Sequence, residues 1–281
     1  MATSFAHMVG ERVNLMSKSR ELQLHIAQLE EIRSILNAMK NLAFMAVSKL
    51  TRLQRLQSQV VAHIDENAAD FIAAYPDTLQ QEYQGLPVYI VVGSERGFCG
   101  DFNESLLDSL TTQPCHGIIA IGSRLIGHIE SYPYNVIAML NGSNVEEEVP
   151  TLLELLFAQL AVLTYEQTLI AVYHDHASNQ IKHRQILPLS VPAVVNKNSP
   201  RLNLSAEIFF SELLEQYLLA VLHEIIYLSL LTENRLRLQH LDGAVNHLDE
   251  QTQKLHRKSQ IYRQEEITEE IEVILLNIET L

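Results

Sequence analysis

The chain has 281 residues, 47% apolar and 19% charged, with two cysteines and a formal net charge of −14. That balance argues against a nucleic-acid partner, which needs clustered Lys and Arg. No run approaches 18 consecutive apolar residues, so no membrane-spanning segment is expected, and Cys99 and Cys115 without metal-type spacing point to a reduced, intracellular compartment.

All eight prolines lie between Pro76 and Pro200, and eight of the ten glycines between Gly85 and Gly142. Proline inside a helix costs roughly 3 kcal/mol and glycine about 1 relative to alanine. Two unbroken ends therefore predict two long helices around a punctuated middle. The expected division is an extension at 1–20, a coiled-coil helix at 21–75, a central α/β domain at 76–205 and a second coiled-coil helix at 206–281. Residues 1–60 carry a net charge of about +4, 61–200 about −11 and 201–281 about −7. The first arm is thus poised to attract the last.

From about Glu21 to Asn67, Ile32, Met39, Ala46, Leu53 and Val60 recur every seven residues, with Ile35, Leu42, Lys49 and Leu56 interleaved. Alternating steps of three and four are the mark of a coiled-coil seam. Lys49 interrupts it, so pairing there is loose or the partner supplies an acid.

In the middle, Val88–Val92, Gly117–Ile121, Asn135–Leu140 and Leu169–Tyr173 read as strands, with Gln185–Leu189 as an edge strand because prolines follow. Asn103–Leu110, with Asn103 as N-cap, Ser123–Glu130, and Pro150–Leu163 with proline in its first turn read as helices. This alternation predicts a mostly parallel sheet with helices on its faces, a Rossmann-like α/β domain. No Gly-Lys pair exists for a phosphate loop, and Gly93, Gly97 and Gly100 do not space as a dinucleotide turn. His174, Asp175 and His176 have metal-type spacing without an evident third ligand, and a solvated loop is the plainer reading. Cys99 beside Arg96 reads as a small packed residue, since no base accompanies it.

The last arm, 206–281, would reach roughly 110 Å as one helix at 1.5 Å per residue. Leu214, Leu218, Val221, Ile225 and Leu228 begin a seam. Leu241, Ala244, Leu248, Gln251, Leu255 and Tyr262 continue it, and Ile267, Ile271, Ile274, Ile278 and Leu281 finish it. His240 and His247, a heptad apart, read as surface or seam positions. The apolar end, Ile274 to Leu281, calls for an apolar site in a partner.

The turn Ser94–Asn103, SERGFCGDFN, resembles the signature after the first strand in gamma subunits of rotary F-type ATP synthases: Ser94, Arg96, Gly97, Cys99, Gly100, Phe102 and Asn103 match. Arg263-Gln264-Glu265-Glu266-Ile267-Thr268-Glu269-Glu270-Ile271 is similar to the family's terminal motif. Glu233-Asn234, Arg237 and Asp242-Gly243-Ala244 resemble its upstream region loosely, and Ala38-Met39-Lys40 with Ser48-Lys49-Leu50 resembles its first-arm motif. Departures mark a divergent branch. Ser34-Ile35-Leu36 replaces Lys-Ile-Thr, Leu276 or Asn277 stands at the glycine of the tip, and about fifteen extra residues precede the first arm.

The resemblance implies a non-catalytic, cofactor-free rotor shaft. Its two arms would pair antiparallel inside a ring of alpha and beta subunits, and its central domain would rest on the epsilon subunit and the membrane rotor ring. The complex would lie peripherally on the cytoplasmic face of a bacterial membrane. Arg263, Gln264, Thr268, Glu270 and Met39 match positions that touch beta, and Ile274, Leu275, Leu276, Ile278 and Leu281 form a bearing tip. Two rival readings are a free-standing coiled-coil adaptor and a nucleotide- or thiol-dependent enzyme on the central sheet.

Overall fold

Helix α1 runs Ala2–Ala74 and α5 runs Ala206–Glu279, each uninterrupted by proline. The computed structural model describes residues 2–76, 85–110, 114–163, 167–175, 180–189 and 202–279, with side chains from 18 to 275. Between the long helices lie β1 (Val88–Val92), α2 (Phe102–Asp108), β2 (Gly117–Ile121), α3 (Ser123–Ile129), β3 (Val136–Leu140), α4 (Val149–Leu160), β4 (Leu169–Asp175) and β5 (Gln180–Leu187). The helical pattern expected from about Glu21 thus begins at Ala2, and β5 begins five residues before the predicted Gln185.

Two compact units result: Met1–Leu42 with Gln239–Leu281, and Ala43–Leu238. In the first, the helices run antiparallel and are tied by ion pairs. Arg33 pairs with Asp249, Lys40 with Asp242 at 3.0 Å, and His256 lies 3.6 Å from Glu30. Leu241 and Val245 are buried, and Leu248, Thr252, Leu255, Ser259 and Tyr262 follow at alternating steps of three and four. The seam therefore uses Val245 and Thr252 where Ala244 and Gln251 were expected. Ile267, Ile271 and Ile274 lie off it and are about half exposed (49%, 52% and 57%).

In the second unit the sheet order is β3-β2-β1-β4-β5, parallel except for the β4–β5 pair. β5 lies at an edge, as the prolines after it predict, and β3 forms the other edge. α2 and α3 pack on one face through Phe102, Leu106, Leu107 and Leu125. The other face packs on α4 and on Tyr217–Leu231 of α5, with Leu50 and Val61 of α1 behind. Residues 217–237 of α5 are buried nearly all round because they have neighbours on two sides. One 18-residue window of α5 reaches a mean hydropathy of 1.4, enough by length and composition for a membrane span, yet half of it is buried within the protein. Its apolar character is that of a core helix.

The seam on α1 is rotated from the expected one. Ile26, Ala43, Leu50, Val61, Ala68 and Phe71 are buried, whereas Ile32, Ile35, Leu42, Leu56 and Val60 are about half exposed. Met39, Ala46 and Leu53 lie between. Heptad spacing fixes the period but not the phase, and α1 carries two apolar stripes. Lys49 does meet acids, but from its own chain: Glu146 and, at 2.5 Å, Glu147 in the turn before α4.

Candidate functional site

The signature turn joins β1 to α2 at the carboxyl end of the sheet, where doubly wound folds place ligands. Here the chain fills that place itself. Ser94 donates its amide to Asn103 Oδ1 at 2.9 Å, and Asn103 Nδ2 donates to Ser94 Oγ at 2.9 Å. Asn103 is therefore a buried brace across the turn and not the N-cap of α2. That position belongs to Asp101, whose side chain makes no cap bond. Cys99 is buried, with Sγ 3.3 Å from Ser94 Oγ, and burial pushes its thiol above the ordinary range. This is the packed residue the sequence suggests. Gly100 has φ +66, the left-handed region, and Phe98, exposed at the turn's apex, has φ +63. Gly97 needs no such freedom; its carbonyl accepts from Arg237 Nε at 3.0 Å. Phe102 is fully buried with its ring 4.1 Å from that of His174.

Two carboxylates close the site. Glu233 of α5 faces the backbone amides of Glu95 (3.4 Å) and Arg96 (3.3 Å), and it is paired with Arg237. Burial pushes its pKa up, and Arg237 with the two amides pulls it back. Glu95 accepts from the Ser123 amide at 2.9 Å, the Ser123 hydroxyl at 2.6 Å and the Gly142 amide at 2.6 Å. Arg96 Nε donates to Asn144 Oδ1 at 2.6 Å. Adjacent backbone amides of this kind hold phosphate in nucleotide-binding sheets; here they already hold carboxylates. The cavity beside them, lined by Gly93, Ser143 and Glu233 among others, measures about 10 Å³, room for no more than a water.

Glu95 was missed by the sequence reading because it falls at a freely variable position of the signature. Glu233 and Arg237 carried only a loose resemblance, although their four-residue spacing is an ion-pair signal. His174 bonds through Nε2 to the Phe102 carbonyl at 2.8 Å. His176 lies outside the described residues, and among those described no group of His, Cys, Asp and Glu is arranged for a metal. His240 and His247 are exposed.

The candidate contact residues lie elsewhere, in the unit of residues 1–42 and 239–281. Arg263, Gln264, Thr268 and Glu270 are all exposed, and Thr268 Oγ1 donates to the Gln264 carbonyl at 2.9 Å. Helical spacing sets Gln264 and Thr268 beside Ile271, and Arg263 and Glu270 beside Ile267 and Ile274. A polar–apolar face results. Met39 is half-buried on α1. Of the tip, Ile274 and Leu275 are exposed; the side chains of Leu276 and Ile278, and all of Leu281, fall outside the described set.

A family model described as ATP synthase matches residues 18–281. The chain is 26% identical over 276 residues to an ATP synthase gamma chain of Clostridium beijerinckii, covering 91% of this chain and 95% of that one. It is also similar in fold to two chains from Euglena gracilis mitochondrial ATP synthase structures. One, from the rotor in rotational state 1, has a TM-score of 0.60 at 12% identity, over 89% of this chain and 99% of the other. The second, from the OSCP/F1/c-ring structure in rotational state 3, has a TM-score of 0.64 at 13% identity over 94% of each. With the signature turn, the helix–domain–helix order and a family match across nearly the whole length, the chain belongs to the ATP synthase gamma chain family.

Proposed function

We propose that this gamma subunit is the rotor shaft of an F-type ATP synthase and couples ion flow through a membrane rotor ring to conformational change in a ring of alpha and beta subunits. The observation that carries the reading is the antiparallel pairing of α1 with α5 through Arg33–Asp249 and Lys40–Asp242. The relatives named as a rotor and as part of an F1/c-ring assembly support it. ATP chemistry falls to the beta subunits, and the shaft works by selecting their conformations. A contact shifts an equilibrium only when it differs between states, so an asymmetric pair of helices is required.

In this reading Arg263, Gln264, Thr268, Glu270 and Met39 touch beta, with charge-assisted bonds from Arg263 and Glu270. Ile274, Leu275, Leu276, Ile278 and Leu281 turn in an apolar bearing. The domain at 76–205 rests on epsilon and the rotor ring, and the complex lies on the cytoplasmic face of a bacterial membrane. Gln264→Leu with Thr268→Val, carried into the assembled complex, tests the contact. ATP synthesis driven by an ion gradient is expected to fall while the isolated variant keeps its helix content. Unchanged synthesis in a fully assembled complex overturns the contact assignment.

A further inference from the structure

The register of the paired helices reaches past the family match. Arg33 faces Asp249 and Lys40 faces Asp242, seven residues apart on each helix and in opposite directions. On α1 the positions turned toward α5 include Ser19, Leu22, Ile26 and Leu29, buried or partly buried at steps of three, four and three. Continued toward the N-terminus, the same steps fall on Leu15, Arg12, Met8 and Phe5, three of them apolar. The helix runs unbroken to Ala2, whereas the match to the ATP synthase family begins at residue 18.

The end of α5 carries the other half of the pattern. Beyond Tyr262 its seam continues through Glu266, Glu269 and Val273, at steps of four, three and four. All three are partly buried, while Ile267, Glu270, Ile271 and Ile274 are exposed. Burial confined to one stripe of a helix needs a neighbour on that side. By the register of the ion pairs, positions 12 and 8 of α1 stand level with Glu269 and Val273. Where α1 sets a base in the seam, its partner is the acid one residue past the facing seam position: Asp242 follows Leu241, and Asp249 follows Leu248. Glu270 follows Glu269 in the same way, three heptads beyond Asp249, and Arg12 lies three heptads before Arg33.

We propose that the segment before residue 18 is a second strand added to the end of α5: Leu15, Met8 and Phe5 close the seam along its last turns, and Arg12 pairs with Glu270. Without that strand α5 would run on alone from about Gln264, and a helix of that length by itself is marginal in water. The same pair orients Glu270. A carboxylate accepts from more than one side, so Glu270 stays able to meet a neighbouring subunit. That consequence rests on the shaft reading; the pairing of the two ends does not.

The test uses the full-length chain. Met8→Cys with Val273→Cys is oxidised over a range of dilutions and the products are mapped by mass spectrometry. An intrachain disulfide is expected, at a rate independent of chain concentration. Met8→Cys with Ile271→Cys, whose second position faces outward, is expected to link at least about tenfold more slowly, because a disulfide spans only a short distance. Hydrogen exchange reads the rest. Deleting residues 2–17 is expected to raise amide exchange over 266–276 about tenfold. Arg12→Glu is expected to raise it about threefold, the scale of one exposed ion pair, and Arg12→Glu with Glu270→Arg to bring it back. Equal linking of the two cysteine pairs, or exchange that the deletion leaves unchanged, overturns the added strand. A charge swap that restores nothing overturns the Arg12–Glu270 pair. No partner subunit takes part, so these outcomes are separate from the ATP synthesis measured in the assembled complex, which bears on the shaft reading.

Discussion

Glu233 and Arg237, one helical turn apart on α5, are both buried and together grip a single loop: the carboxylate takes the amides of Glu95 and Arg96, and the guanidinium reaches the carbonyl of Gly97. Asn234 completes the arrangement by accepting from Arg237 Nη1 at 2.9 Å. The turn that identifies the family is thus fastened to the helix that lies beneath it.

Removing either partner leaves a buried charge uncompensated, at a cost of about 3–5 kcal/mol. Glu233→Ala and Arg237→Ala are each expected to lower the unfolding free energy by that order. The double variant is expected to lose less than the two single losses together, because each single variant already breaks the pair. Urea unfolding of the isolated chain reads all three.

The rotated seam makes a second prediction. Leu50 is buried and Leu42 is 58% exposed. Leu50→Ala is expected to cost about 2–5 kcal/mol, and Leu42→Ala to stay within about 0.5 kcal/mol, in the isolated chain. A larger loss at Leu42 than at Leu50 would restore the seam expected from the heptads.

A methyl group at Gly93 would collide with Leu125 Cβ and approach Asn103 Oδ1 to 2.8 Å, whereas at Gly97 its nearest neighbours are Arg124 atoms at 3.9 Å. Gly93→Ala is expected to destabilise by about 1–3 kcal/mol through overpacking. Gly97→Ala is expected to leave the thermal midpoint nearly unchanged.

Burial lowers the pKa of His174 below its ordinary value of 6.5, and does the same for His183 and His223. The unfolded chain then binds more protons than the folded one as pH falls through that value, so stability is present above it and is lost below it. The urea midpoint is expected to be lower at about pH 5.5 than at about pH 7.5. In His174→Phe the difference between the two narrows, although the bond to the Phe102 carbonyl is gone at both.

The strands and the mostly parallel character of the sheet were legible because its central strands are continuous apolar runs bounded by glycine and proline; the order β3-β2-β1-β4-β5 was not, since nothing local in the sequence says which strands neighbour one another. Gly117–Ile121 was read to the residue. The long helices were legible from what they lack. The phase of α1 was not, because its outward face carries Ile32, Ile35, Leu42, Phe44 and Met45, while Ala43 and Ala68 occupy buried positions. Apolar content then points to the wrong side. Glu95 was illegible for another reason: its partners, Ser123 and Gly142, are distant in sequence, and a lone glutamate in a turn reads as a solvated charge.

The carboxylates of Glu95 and Glu233 are ligands joined to their own receptor. A tethered group is not diluted, and its occupancy does not follow the concentration of any solute. The crevice that senses metabolites in other sheets of this type is fixed here in one state, so the mechanical join between loop and helix stays equally stiff whether the cell is rich or poor in phosphate.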